Sequence, residues 1–519
     1  MKPQCRSAGF ILIMVLVVIM LAAMVAASLL FVLSAEHTAA AASQGGEQAW
    51  AAAMSGVYQA IRLAADPATD PADLQDNPSL FRDQLVQDDG VQKWCFSVYS
   101  LPEASGGAIR FGLTDEASRL NLYRATPAML ETLPNLTAQL AEALLAALPG
   151  GATSSLADTN ATPNSATNTP VAAVVTINPP TNSPSAIPAN ASSPIITTAD
   201  FLLSLASPTN LPPPRWTCLD ELLDVAGFTP ALLYGSYSNL TGRVLAQTNP
   251  PDSAPFPDLP NAQPDIGLSQ FLTLCSYDLN RDNDGNPRIN LNQPDADLSA
   301  AGLPAATLAY LNALNTNGLQ LTNTVDLLWA TNTFKDTNGN SVALGSAITP
   351  AELPTLLDHC TTTNDTRLVG LVNLNTASAQ VLAALPGMTP ALAESVVATR
   401  AGLSPDAKKT TAWLLQDGIV TADVFRQVAP YLTTRGYQFH FFVAAYAVPT
   451  TNYRLVEAVV DVASQPPAIL LLRDVTRLGL PFTPSASTQT DSTASLPPRA
   501  SPSLNRSGLA SRAEPAPAL

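Results

Sequence analysis

MKPQCRSAG (residues 1–9) followed by FILIMVLVVIMLAAMVAASLLFVL (residues 10–33) is the stretch on which the reading of this chain turns. The leader carries Lys2 and Arg6 and no acidic residue. From Phe10 to Leu33 there is no charge, and Ser28 is the only polar side chain. At ~1.5 Å per residue a helix of this length is about 36 Å long, and a bilayer core of ~30 Å needs about 20 apolar residues. The run is long enough to span a membrane with some tilt. Basic residues ahead of it would hold the N-terminus in the cytoplasm and send the remaining chain outward.

Three readings compete for this stretch. A secretory signal peptide would use Val32-Leu33-Ser34-Ala35 as its cleavage site, but its apolar core is ordinarily only ~7–15 residues. A plain N-terminal anchor needs nothing beyond the apolar run. The third is a prepilin-type leader, cut after Gly9 to leave Phe10 as the new N-terminus. A basic leader, Gly, Phe and an uninterrupted apolar helix resemble that class, although Met14 stands where prepilins usually carry glutamate.

The chain has 519 residues, a net charge of −16, 13% charged residues and 45 prolines. Nucleic acid is an unlikely main partner for such an acidic chain, because phosphate binding needs a basic face. Cys5 lies in the leader. Cys95, Cys218, Cys275 and Cys360 are compatible either with two disulfides or with four thiols, and no CxxC spacing points to zinc.

Beyond Leu33, alanine-rich sequence extends the helix to about Ala65, with Gly45-Gly46 expected to weaken or bend it and Asp66-Pro67 to end it. Trp50, Met54, Val57, Ile61 and Ala65 form the expected packing stripe. KWCFSVYS (93–100) and AIRFGLTDE (108–116), separated by Gly106-Gly107, read as two antiparallel strands. Residues 149–200 are rich in Pro, Asn, Thr and Ser and read as a disordered linker. Helical patterns resume at Phe201–Leu205 and Cys218–Tyr234, and Phe271–Tyr277 reads as a strand. YQFHFFVAAYAV, YRLVEAVVDVA and AILLLRDVTRLG carry strand composition, with Pro449–Asn452 as a turn. Residues 481–519 read as a disordered tail.

An internal repeat aligns Asn121–Leu145 with Asn373–Val397, identical at ten of twenty-five positions. Each copy reads as a capped helix (Thr126 or Ser378), a turn after Leu-Pro, and a second capped helix (Thr137 or Thr389). This is a helix-hairpin-helix pattern, and Leu219–Leu233 looks like a weaker copy. A DNA-binding hairpin would present Gly-x-Gly amides to a phosphate. Here Pro386-Gly387-Met388-Thr389-Pro390 lacks the second glycine, the first copy has Asn135 for the first, and Glu394 is acidic. A structural or protein-contact module is the better reading.

Taken together, these features resemble general secretion pathway protein K, the large minor pseudopilin of type II secretion systems. The residues that carry the resemblance are the Gly9–Phe10 junction, Asp115-Glu116 with Leu120-Asn121-Leu122, Arg288-Ile289-Asn290-Leu291-Asn292, Val372-Asn373-Leu374-Asn375-Thr376-Ala377, Leu385-Pro386-Gly387, Thr433-Thr434-Arg435-Gly436 and Arg454-Leu455-Val456-Glu457-Ala458. That family also commonly lacks the glutamate that Met14 replaces. The resemblance implies an α+β fold: a long N-terminal transmembrane and pilin stem helix, a small antiparallel sheet of pilin type, and a large, mainly helical inserted domain with helix-hairpin-helix-like repeats. The implied segments are a leader (1–9), a stem helix (10–66), the first part of the αβ core (67–118), the helical insert (119–435), the C-terminal strands (436–480) and the tail (481–519). It also implies a non-enzymatic subunit at the pseudopilus tip that helps start assembly. That subunit would be anchored in the inner membrane by residues 10–33 with its C-terminal part in the periplasm. Its partners would be prepilin peptidase, other minor pseudopilins and inner-membrane secretion components. The runners-up are a membrane-tethered helix-hairpin-helix DNA-binding protein of the competence kind and a type IV pilus tip component.

Asp278, Asn280, Asp282 and Asp284, followed by Gly285, place oxygen side chains at alternate positions as in calcium loops, which makes calcium the one cofactor considered. Counted from Asn280, the twelfth position is Leu291 rather than a bidentate glutamate. The competing reading is an Asx-rich turn. No GxSxG, P-loop or dinucleotide motif is present, and the three histidines are scattered.

Overall fold

The computed structural model describes residues 8–90, 92–101, 109–149, 216–235, 266–335, 341–449 and 452–482. The expected helix 201–205 and residues 150–200 of the expected linker lie outside these, as do residues 1–7 of the leader, Gly106-Gly107 and 483–519 of the tail. The first helix, α1 (Ala8–Ala65), is one continuous element of 58 residues. It ends where the sequence places the end, at Asp66-Pro67.

The C-terminal half of α1 lies on an antiparallel sheet. The strands are β1 (Gln84–Asp88), β2 (Lys93–Tyr99), β3 (Thr114–Asp115), β4 (Gln438–Val448), β5 (Tyr453–Asp461) and β6 (Ala468–Asp474). Their order is β1-β2-β4-β5-β6, with β3 beside β4. One expected pairing is corrected here. β2 pairs with β1, which precedes it, while the 108–116 stretch supplies one bridge, Ser100 with Arg110, and the short strand β3. The exposed, polar β1 has a weak strand signature, so its neighbour was mistaken for the partner.

The packing face of α1 also differs from the expected stripe. Ala49, Ala52, Ala53, Val57, Ala60 and Ile61 are buried, Trp50 and Met54 flank them, and Ala65 is exposed. Gly45 and Gly56 lie in this row of small residues. A Cβ on Gly56 would stand 2.5 Å from Val443 Cγ1, and one on Gly45 would stand 2.6 Å from Asn452 Nδ2. These two glycines permit close approach of helix to sheet. Trp94, Phe96, Val98, Phe441, Val443 and Val456 complete this core.

Between β3 and β4 the chain leaves the sheet and forms the helical insert, which is three modules of one plan. Each opens on a two-residue strand containing Asn and closes on a two-residue strand containing Thr, and the two pair in parallel. The pairs are Leu120–Asn121 with Leu272–Thr273, Ile289–Asn290 with Cys360–Thr361, and Val372–Asn373 with Leu432–Thr433. In each clasp the Asn Oδ1 accepts the backbone N–H two residues on, from Tyr123, Asn292 and Asn375, at 3.0 Å every time. The Thr Oγ1 likewise accepts from Cys275, Thr363 and Arg435 at 3.3–3.4 Å. Asn and Thr serve here because their short side chains bond to backbone two residues on, which holds a bend at each end.

Within each clasp, short helices occur in the same succession. The first module has Pro127–Glu131, Ala138–Ala147, a 3-10 turn Leu219–Asp224 and Pro230–Tyr234. The second has Leu298–Ala301, Ala305–Thr316, Thr324–Leu327 and Leu353–His359, and the third has Ala379–Ala383, Pro390–Arg400, Trp413–Gln416 and Ala422–Val428. The expected caps are all in place: Thr126, Thr137, Ser378 and Thr389 each accept a backbone N–H three residues on. Leu219–Leu233, read from sequence as a weak copy of the hairpin, occupies the third and fourth helical positions of its module. Its counterpart is therefore 411–425, where Thr421 caps as Thr229 does. The expected strand Phe271–Tyr277 is two separate pieces, Leu272–Thr273 and Tyr277–Leu279.

Candidate functional site

Three surfaces and clusters were candidates from the sequence, and the structure adds a fourth. The first is the apolar half of α1. Every large apolar residue from Ile13 to Leu33 is exposed, Met14 at 61% and Phe31 at 76%. Among the described residues α1 is the one helix long and apolar enough to cross a membrane. Gly9 and Phe10 fall within the helical backbone of α1. Among the described residues nothing covers this apolar face, whose length and composition suffice to cross a membrane.

The second is the pair of helix-hairpin-helix turns. Gly387 adopts φ +77° and Asn135 φ +61°, so both hold the left-handed conformation that the tight turn requires. A Cβ on Gly387 would come within 2.9 Å of Gln427 Oε1, so the module's own last helix stands against the turn. The nearby cations are engaged too. Arg400 donates to the carbonyls of Leu374 (3.0 Å) and Ala377 (2.6 Å). Lys409 pairs with Asp406 at 2.8 Å, and Arg426 pairs with Asp423 and donates to Leu328 O. The turn itself is exposed at Gly387, Thr389 and Pro390, but the cations beside it already have partners within the chain.

The third is the acidic loop. Asp278 is buried, and its Oδ2 accepts from Thr433 Oγ1 at 2.7 Å and from Arg435 Nη2 at 3.2 Å. Asn280 donates through Nδ2 to the carbonyls of Thr363 and Asp365. Asp282 accepts the backbone N–H groups of Asp284 (3.0 Å) and Asn286 (2.7 Å) through Oδ1, with His359 Nδ1 3.4 Å from Oδ2. Asp284 is exposed. Asp282 thus anchors an Asx-type turn, while the buried Oδ1 atoms of Asp278 and Asn280 have no hydrogen-bond partner among the described residues. Among the described residues no group of three or more His, Cys, Asp or Glu is arranged to hold a metal ion. Cys95, Cys218, Cys275 and Cys360 are thiols.

The fourth cluster was not anticipated. The insert is bolted to the sheet by buried polar groups drawn from distant parts of the chain. Glu457 on β5 accepts from Arg473 on β6 at 2.7 Å and lies 2.9 Å from His440 Nε2 on β4. Arg473 also donates to Asp220 of the first module at 2.6 Å, and Tyr234 hydrogen-bonds the same aspartate. Burial works to raise the Glu457 carboxyl, but the bonds from His440 and Arg473 outweigh it and hold the group below its ordinary range. Asp115, on β3, accepts from Asn373 Nδ2 at 2.7 Å and Thr376 Oγ1 at 2.8 Å of the third module. Tyr277 and Gln438 both donate to buried Asp461. Periodicity cannot show such pairs, because the partners lie far apart in sequence. One signal was available in the order Leu-Asn-Leu, Ile-Asn-Leu-Asn, Val-Asn-Leu-Asn with Leu-Thr, Cys-Thr and Leu-Thr, which delimits the modules.

Compared with known proteins, residues 369–433 match a family defined by the helix-hairpin-helix motif. That segment is the third module, from just before its first clasp strand to the Thr of its last. No curated protein and no solved structure matches the chain.

Proposed function

We propose that this chain is a minor pseudopilin of the K type in a type II protein secretion system, acting through subunit contacts at the pseudopilus tip. The observation that carries the proposal is the division of α1. Its first half is apolar and exposed, its second half packs on an antiparallel sheet, and a three-module insert fills the interval between two strands of that sheet. A carboxylate in a bilayer costs ~2.5–3.5 kcal/mol on insertion scales. A subunit that begins the stack has no use for one, and Met14 occupies that place. The bulk of the insert favours a terminal position over a packed shaft. The mature N-terminus, measured by mass spectrometry, is expected to be Phe10; an uncut Met1 or a start near Glu36 would defeat the proposal.

A second reading is favoured by the helix-hairpin-helix match: a membrane-tethered DNA-binding protein. A gel shift with the full chain in detergent separates the two. Salt-sensitive binding of duplex DNA at micromolar concentration would support this second reading; the missing second glycine and the paired cations beside the turn predict no shift.

A further inference from the structure

Asp115 stands where the insert joins the sheet. It is the last residue of β3, just before the chain departs for the first module, and it pairs in register with Phe439 on β4. Its Oδ1 accepts the Ala117 N–H at 2.9 Å, and its Oδ2 accepts from Asn373 and Thr376 at the start of the third module. Gly436, where the chain returns to the sheet, lies so close that a Cβ there would stand 2.2 Å from Oδ1. One carboxyl group therefore holds the departure, the return and the third module together.

We infer that Asp115 is a proton-operated catch at the base of the insert, tighter when the carboxyl is protonated and looser when it is ionised. The geometry supports this in three ways. Asp115 is 5% exposed, and no ion pair forms with it among the described residues. The surrounding charges have other partners. Glu116 is paired with Arg119 at 2.7 Å, and Arg110 donates to Thr114. Arg435 is held by Asp278, His440 by Glu457, and Arg400 by two carbonyls. Thr376 supplies a hydroxyl that donates to the carboxylate and, by rotating, accepts from the protonated acid, so neither form leaves an unmatched donor there. A small cleft of about 40 Å³, lined by Gln75, Arg110, Ser118, Gln270 and Ser378, borders the group.

Burial raises the Asp115 carboxyl from 3.8 to about 6, against the lowering pull of its three donors. The sign follows from linkage. Because the folded chain holds this proton more tightly than the unfolded one, the stabilisation is complete below about pH 3.8. It is lost as pH rises through about 6.

The test is hydrogen exchange, read by mass spectrometry on the full chain in detergent at a series of pH values from 5 to 7.5, for wild type and Asp115→Asn. Intrinsic exchange cancels in the ratio of the two proteins at each pH. Protection of peptides spanning 114–122 and 433–440 in wild type, relative to the variant, is expected to fall about tenfold between pH 5 and 7.5. Thr376→Val removes one donor to the ionised form and is expected to move the midpoint of that loss to higher pH. A wild-type to Asp115→Asn ratio that stays flat overturns the inference. If Asp115→Asn does not fold, Thr376→Val is read against wild type at each pH, and a ratio that stays flat across the pH range overturns the inference.

Discussion

The α1–sheet core and the helical insert are held by different physics. In the core, a row of small residues on α1 lets apolar side chains of helix and sheet interlock, and the stabilisation is spread over many contacts. The insert has its own buried apolar cluster, but its elements are short: its helices run from three to twelve residues and its clasps are two residues per strand. Helices that short are marginal alone. Their arrangement is set by Asn and Thr clasps, by caps and by arginines that reach between modules. Arg124 of the first module donates to Val369 O at 3.2 Å and Pro430 O at 2.7 Å and stacks on Tyr431. Arg426 of the third donates to Leu328 O of the second and faces Trp329. The lesson is that one chain can combine a core tolerant of polar loss with an insert whose shape rests on a few polar side chains.

The largest expected effect sharpens the core side of this contrast. Phe441→Ala removes a fully buried ring from the sheet, and a loss of about 3–5 kcal/mol is expected in urea unfolding. A loss below about 1 kcal/mol would show that the sheet core is not the main support. Next comes the clasp. Asn373→Ala strips donors from buried Asp115 and an acceptor from Asn375 N–H, for an expected loss of about 2–3 kcal/mol. Asn290→Ala in the second module, whose Nδ2 partner Asn364 is in an exposed contact, should cost nearer ~1 kcal/mol. Equal losses at the two sites would mean that the tie to the sheet adds nothing.

Acid provides a third comparison, because the two joints respond in opposite directions. Glu457 titrates lower in the folded chain than its ordinary 4.5. Its contribution is therefore full above that value and is lost as pH falls below it. Melting followed from pH 6 down to pH 3 should show wild type falling toward Arg473→Met, with the difference between them shrinking. A constant difference would remove Glu457 as the cause. The smallest effect is at a helix cap. Thr389→Ala should cost about 1 kcal/mol in urea unfolding.

Much of the molecule was legible in sequence because its signals are local. The span from Phe10 to Leu33, the end of α1 at Asp66-Pro67, the strands of 438–474 and four helix caps each follow from residues within a few positions of one another. The repeated hairpin was legible because two copies kept their Leu-Pro turns and capping residues. The second module was missed, since its helices share little with the others beyond Ile-Asn-Leu-Asn and Cys-Thr. The partner of β2 was misjudged because β1, polar and exposed, lacks the alternation that marks a buried strand.

The sequence by itself determined that this chain carries a membrane-length helix, a group of C-terminal strands and a capped helical repeat, because hydrophobic periodicity and capping act over a few residues. Only the tertiary structure decided what those parts do to one another. It engaged Asp278 with Arg435, turned Gln427 onto the hairpin at Gly387, and brought Asp115, Asn373, Thr376 and Gly436 to one point. These contacts join residues up to 321 positions apart in the numbering (115 and 436), and the free energy that selects them is that of satisfying buried polar groups, which no local pattern encodes.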